Sequence, residues 1–212
     1  MKRFIFLSIL LFIISDIALA QDATQEQQPR CALKLNQAPE LRGLKLGMTA
    51  EQILARFPGL KIHPADKYGY RKVGLIFTPS DLAVRDGVMN FEQSTYISTV
   101  KFPDYKGLKS AGLQFLDDHI FSIQLVYDDS VKWQDLDEFI EKVATSLNLP
   151  KDWQEDETES EKYLQCDGFQ VAAALSGYTG PTLRVSDLVT LLVIRERKAE
   201  KEEKQRSTFK PD

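Results

Sequence analysis

Cys31 and Cys166 are the only cysteines in the 212-residue chain, and a bond between them would close a loop 135 residues long. An even cysteine count in an exported chain reads first as a disulfide. On the chain-entropy account, a loop of that length constrains the unfolded chain by about 4–5 kcal/mol. It would also hold the N-terminal segment against the far end of the fold. The alternative is a reactive or metal-binding thiol. Zinc sites draw on closely spaced Cys and His pairs, and neither His63 nor His119 has such a spacing to a cysteine.

The first twenty residues point to the oxidising compartment that a disulfide needs. Lys2 and Arg3 precede an apolar run from Phe4 to Ile14, and Ala18-Leu19-Ala20 puts small residues where a signal peptidase reads. The expected outcome is cleavage near Ala20 and a periplasmic or secreted product, with an uncleaved N-terminal anchor as the alternative. The run of about eleven residues is shorter than the roughly 20 that span a bilayer, so no stable membrane insertion of the mature chain is expected. Gln21 stands where a lipid-modified cysteine would, which favours release over tethering. Without residues 1–20 the chain keeps 25 basic and 30 acidic residues, a net charge of −5. That balance excludes a general nucleic-acid binder, which needs a basic face.

Residues 21–30 are Gln-rich and polar and read as a flexible leader. The folded domain is expected over 31–194, followed by a charged tail over 195–212. Thr49-Ala50-Glu51-Gln52 is a capping box, with Met48 and Ile53 placed as a hydrophobic staple. It opens a short helix with Ile53, Leu54 and Phe57 on its apolar face, ended by Pro58-Gly59. A second helix follows from Leu136, Phe139, Ile140, Val143 and Leu147, which form one apolar stripe behind an Asp135/Glu138 cap and before Leu149-Pro150.

Strands are expected at Val73 to Thr78 and at Tyr96 to Phe102. Leu113 and Phe115, then Phe121, Ile123, Leu125 and Tyr127, alternate about an Asp117-Asp118 turn. A second hairpin turns at Asp167-Gly168, where both central positions tolerate positive φ. Thr182 to Val185 and Leu188 to Ile194 complete the strands. From Arg195 the chain reads as a solvated helical extension, with Glu200–Lys204 and Glu202–Arg206 pairs, ending in a disordered Ser207 to Asp212. The fold class expected is α+β: a mostly antiparallel sheet with two helices packed on it, arranged as two helix-then-strands halves.

The stretch Gly43-Leu44-Lys45-Leu46-Gly47-Met48-Thr49, with its helix running to Phe57-Pro58-Gly59, resembles the opening of the SmpA/OmlA/BamE outer-membrane assembly lipoproteins. It is also similar to the wider group with the β-lactamase inhibitor protein-like fold. The resemblance implies one or two short helices packed on an antiparallel sheet, sometimes duplicated. It implies an assembly role carried out from a lipid anchor, whose cysteine this chain replaces with Gln21.

Asp117-Asp118-His119 offers an acid–base group, since neighbouring carboxylates favour a charged histidine; a hairpin turn explains the same residues. Asp128-Asp129-Ser130 offers oxygen ligands without the spacing or glycine of a calcium loop, and helix entry explains it. Gly-x-Ser-x-Gly, His-Glu-x-x-His and glycine-rich phosphate loops do not occur. Ser176 to Pro181 reads as a connection. Pro79 to Ser94, holding Asp86-Gly87 and Phe91, has no steady period and reads as an irregular edge or a partner-contacting loop. Tyr68 and Tyr70 just upstream join Phe91 as candidate partner-surface residues. No catalytic, cofactor or metal residue is assigned. The expected function is an exported, non-enzymatic binding or scaffolding protein whose partner is another protein. The alternatives are an inhibitor of an extracellular hydrolase and a hydrolase centred on Asp117, Asp118 and His119.

Overall fold

A computed structural model describes residues 31–58, 60, 62, 64–77, 86–88, 95–100, 106–128, 130–156, 160–176 and 180–209. The expected signal peptide and leader, residues 1–30, and Phe91 lie outside them. Strand β1 (Cys31–Lys34) and a 3-10 turn (Leu35–Gln37) lead to helix α1 (Ala50–Arg56). Strands β2 (Tyr70–Phe77), β3 (Asp86–Val88), β4 (Thr95–Val100), β5 (Leu108–Leu116) and β6 (His119–Tyr127) follow. Helix α2 (Leu136–Leu147) precedes β7 (Gln154–Glu155), β8 (Glu161–Asp167), β9 (Phe169–Ser176) and β10 (Gly180–Asp187), and α3 (Leu188–Thr208) ends the chain.

The fold is α+β with one large mixed sheet in the order β1-β8-β9-β10-β6-β5-β2-β4-β3, and β7 pairs with β8. The pairs β1·β8 and β2·β4 are parallel. The pairs β8·β9, β9·β10, β10·β6, β6·β5 and β5·β2 are antiparallel. Cys31 and Cys166 are register partners across β1·β8 and form the disulfide, with Cα atoms 4.4 Å apart.

Period-two alternation separates the two faces of the sheet. One row of register partners runs Val73, Leu113, Ile123, Val185, Val171, Leu164 across six strands, and all six are buried. The next row, on the opposite face, runs Lys72, Gln114, Ser122, Ser186, Gln170, Gln165. The apolar row belongs to the main core, which also takes in Ile53 and Phe57 of the α1 region and Phe139, Ile140, Val143 and Ala144 of α2. Each fully buried aliphatic or aromatic side chain in such a row contributes about 1.5–3 kcal/mol.

Both helix starts follow the sequence. The Thr49 hydroxyl accepts from the Gln52 backbone N–H at 3.3 Å, and the Gln52 side-chain Oε1 accepts from the Thr49 backbone N–H at 2.9 Å. Asp135 accepts from the Glu138 amide at 2.8 Å, and Asn148 closes α2 in the left-handed region at φ 53°. Gly47, at φ +82°, has no atom within 4 Å of where a Cβ would stand, so its backbone conformation rather than space calls for glycine. That conformation lets Gly47 N–H donate to the Ile120 carbonyl at 2.7 Å, while Ile120 N–H donates to the Met48 carbonyl at 2.9 Å. The Gly-Met-Thr opening is thus tied to the start of β6.

Several expectations are corrected. Leu188 to Ile194 is the first third of α3, not a strand: Asp187 caps it, accepting from the Thr190 amide at 3.0 Å and from its hydroxyl at 2.6 Å. Ser207 and Thr208 are its last residues, with both hydroxyls donating to the Lys204 carbonyl at 2.9 Å. Leu54 is 40% exposed, because a helix this short turns only Ala50 and Ile53 fully to the core. The turn with two positive φ values is Asp117-Asp118 (46° and 72°), whereas at Asp167-Gly168 only Gly168 (87°) is positive. Asp128 accepts from the Ser130 amide at 3.0 Å in a turn ahead of α2, not at its entry. Of Pro79 to Ser94, the described residues are β3, which pairs antiparallel with β4.

Candidate functional site

A bulge in β6 creates the site. Gln114 is paired with Ser122 but Phe115 with Ile120, which leaves Phe121 as the extra residue. A bulged residue shifts the alternation by one. Phe121 therefore does not join Ile123 and Leu125 in the main core, as the plain alternation implies. It lies with Leu116, Gln114 and Tyr70 on the polar-row face, its ring centroid 6.1 Å from that of Tyr70. Phe121 and Leu116 are nevertheless 2% and 7% exposed, because α3 crosses this face.

Between α3 and the sheet lies a cleft of about 440 Å³. Leu116, Phe121 and Tyr70 line it from the sheet, and Leu191, Ile194, Arg197 and Lys198 from the helix. Asp66 and Tyr68 also line it. A neighbouring pair of polar-row hydroxyls, Ser122 and Ser186, is buried and hydrogen-bonded at 2.9 Å.

Arg197 closes one wall. Its guanidinium donates to both carboxylate oxygens of Asp117, at 2.9 and 2.5 Å, and to the Tyr68 carbonyl at 2.9 Å. Asp117 N–H donates to the Gly69 carbonyl at 2.9 Å. Gly69 sits at φ +76°, and a Cβ there would stand 2.2 Å from Asp117 Oδ1, so this approach needs glycine. Asp66 Oδ1 accepts from the amides of Tyr68 and Tyr70 at 2.8 and 3.0 Å. The Asp66–Tyr70 turn, the β5–β6 turn and α3 are thereby joined.

The Asp117-Asp118-His119 triplet is spent on these joints. Asp118 pairs with Arg71. His119 Nδ1–H donates to the Asp117 carbonyl at 2.8 Å. The Arg197 hydrogen bond, outweighing a smaller desolvation effect, holds the Asp117 carboxyl below its ordinary value of 3.8. Burial, reinforced by Asp66, raises the Tyr70 hydroxyl above its usual value.

A carboxyl with a lowered folded-state pKa adds stability above its unfolded pKa and loses it as pH falls through the lowered value. Amide-exchange protection over Ile194–Lys201 is therefore expected to drop as pH falls below 3.8, the ordinary value for Asp117. Asp117→Asn should give the same loss at neutral pH. Unchanged protection in both would show that the clamp does not anchor α3.

Of the sequence candidates, Tyr68 and Tyr70 meet here and Asp117 braces the wall, while Phe91 lies outside the described residues. The sequence does not mark Leu191, Ile194, Arg197 and Lys198 as site residues, because 188–194 reads as a strand and the charged stretch after it as solvated. A signal was present: Thr190, Ile194, Arg197 and Lys201 recur at helical spacing from an Asp187 cap, without an interrupting Gly or Pro.

A second cavity, of about 320 Å³, lies beneath α2 beside Tyr127, Trp133 and Phe139. Its wall joins the core residues Leu125, Val143 and Leu183 to Glu40, Arg42, Lys142 and Ser146, so it is an open groove at the edge of the core. Among the described residues no group of three His, Cys, Asp or Glu side chains is placed to hold a metal ion. Among them, too, no helix is long and apolar enough to cross a membrane. No family model, curated protein or solved structure matches the chain.

Proposed function

We propose that the chain is a non-enzymatic binding protein working in the periplasm or outside the cell, with its guest held in the cleft beneath α3. The observation that carries this is the bulge: it places Phe121, a large apolar side chain, on the otherwise polar face of the sheet, directly under a helix. A cleft that is mostly apolar with a few convergent polar groups is the general form of a ligand site. The disulfide supports a compartment outside the cytoplasm. Against the hydrolase alternative stand the arginine pairings of Asp117 and Asp118. A protein partner, as expected from the sequence, would enter through one projecting apolar group.

The fold reading that goes with this is two helix-then-strands halves, α1 with β2, β5 and β6, and α2 with β8, β9 and β10. Their last strands, β6 and β10, meet antiparallel at the centre of the sheet. This layout, and the Gly47-Met48-Thr49 opening, support a relation to the inhibitor-like and SmpA/OmlA/BamE folds.

The test uses Nile red, a neutral dye that brightens in apolar surroundings. Saturable binding by the purified protein is expected, and Leu191→Trp, which fills the cleft, should abolish it while leaving the melting temperature within a few degrees. Wild-type protein that leaves the dye unaffected would overturn the proposal.

A further inference from the structure

We propose that the cleft takes a single-chain anionic amphiphile, its carboxylate or phosphate headgroup held between Lys67 and Lys201 and its hydrocarbon chain lying against Leu116, Phe121, Leu191 and Ile194. This rests on the cleft being the binding site and adds the class of guest.

The headgroup end follows from an unusual arrangement of charge. The ammonium groups of Lys67 and Lys201 both approach the Tyr68 ring, 5.5 and 4.6 Å from its centroid. Arg71, Lys151, Lys162, Arg184 and Arg197 each face a carboxylate at ion-pair distance. Among the described residues Lys67, Lys198 and Lys201, like several other lysines such as Lys72 and Lys142, have no such partner; what sets Lys67 and Lys201 apart is that they meet at one ring. Burial and the nearby Lys67 lower the Lys201 pKa, while the Asp66 and Glu202 carboxylates act in the other direction. Two like charges brought together cost free energy that an anion between them recovers. Charge-assisted hydrogen bonds of this kind are the stronger ones.

Tyr68 supplies a further donor. It lines the cleft, and its hydroxyl is buried without a hydrogen-bond partner among the described residues. An anion oxygen is the acceptor it lacks. Lys198, one turn before Lys201, lines the cleft itself, while Lys67 and Lys201 stand just beyond its lining, at the ring of Tyr68.

The chain end follows from the walls. Leu116 and Phe121 form an apolar floor, and Leu191 and Ile194 face them from the helix. The volume, about 440 Å³, falls at the small end of the roughly 300–1,000 Å³ of ligand pockets, which suits one alkyl chain rather than two. A polar ion would leave the floor unused, and a neutral hydrocarbon would leave the lysines facing each other.

Isothermal titration calorimetry with decanoate, decyl phosphate, decanol, acetate and inorganic phosphate tests both ends. Decanoate or decyl phosphate should bind at least about tenfold more tightly than decanol, the weight of one charge-assisted contact. Acetate and inorganic phosphate should bind far more weakly than either. The order of decanoate and decyl phosphate identifies a fatty-acid or a phospholipid-derived source. Lys67→Gln/Lys201→Gln should remove the anion's advantage, so that decanoate and decyl phosphate bind no more tightly than decanol.

Equal binding of decanol and the anions by the wild type, or anion binding undiminished in the double variant, would overturn the proposal. In either case Nile red binding would leave the cleft standing as a site. Tight binding of acetate or inorganic phosphate alone would also overturn it.

Discussion

Replacing both Cys31 and Cys166 by alanine is expected to lower the unfolding free energy by about 4–5 kcal/mol. The bond closes a loop of 135 residues, so its loss frees nearly the whole folded chain in the unfolded state. In the native state the effect is local. β1 is the edge strand beyond β8, and its register partners there are Cys31 with Cys166 and Lys34 with Asp167. The cleft lies across β2, β5 and β6, several strands away. Urea unfolding of the variant should therefore show a much lower midpoint, and wild type under a thiol reductant should show the same. Nile red binding by the folded variant should be retained. A midpoint that does not move in either experiment would contradict the account.

Phe115→Ala is expected to cost about 3–5 kcal/mol, the range for deleting a fully buried aromatic side chain. Phe115 has no exposed surface and stands opposite Ile120 on the core face, with the Arg71 guanidinium 5.1 Å from its ring centroid. Truncation would open a cavity among Val73, Leu113 and Ile123, which the sheet backbone cannot collapse to fill. Leu54→Ala makes the contrast. Leu54 is 40% exposed, so its loss should stay within about 0.5 kcal/mol. Thermal unfolding of the two variants separates them. Comparable losses would mean that α1 packs through the face its short pattern suggests.

Those two positions show where reading the sequence works and where it stops. For α2 the stripe Leu136, Phe139, Ile140, Val143, Leu147 was legible because twelve residues give the helical period room to repeat. For α1 seven residues do not, and the pattern places Leu54 inward. The hairpin at Asp117-Asp118 was legible from alternation on both sides. The slip at Phe121 was not, because a bulge leaves the hydrophobic pattern of the strand intact while changing which face a residue takes. Leu188 to Ile194 is apolar enough for a buried strand, and composition over so short a run does not separate the two. The half of the site that Tyr68 and Tyr70 contribute was visible as aromatics near a turn. The half from α3 is hidden by the strand-like composition of 188–194.

The sequence by itself determined what depends on near neighbours: the cap at Thr49, the stripe of α2, the strands of the central hairpins and the availability of two cysteines for one bond. These follow from backbone hydrogen bonding and side-chain period over a few residues. Only the tertiary structure decided that Arg197 reaches across 80 residues to Asp117, and that Lys201 meets Lys67 over Tyr68. The same holds for the bulge that turns Phe121 to the face under α3. Such contacts depend on the order of strands in the sheet and on one residue of register, and neither leaves a periodic trace in the chain.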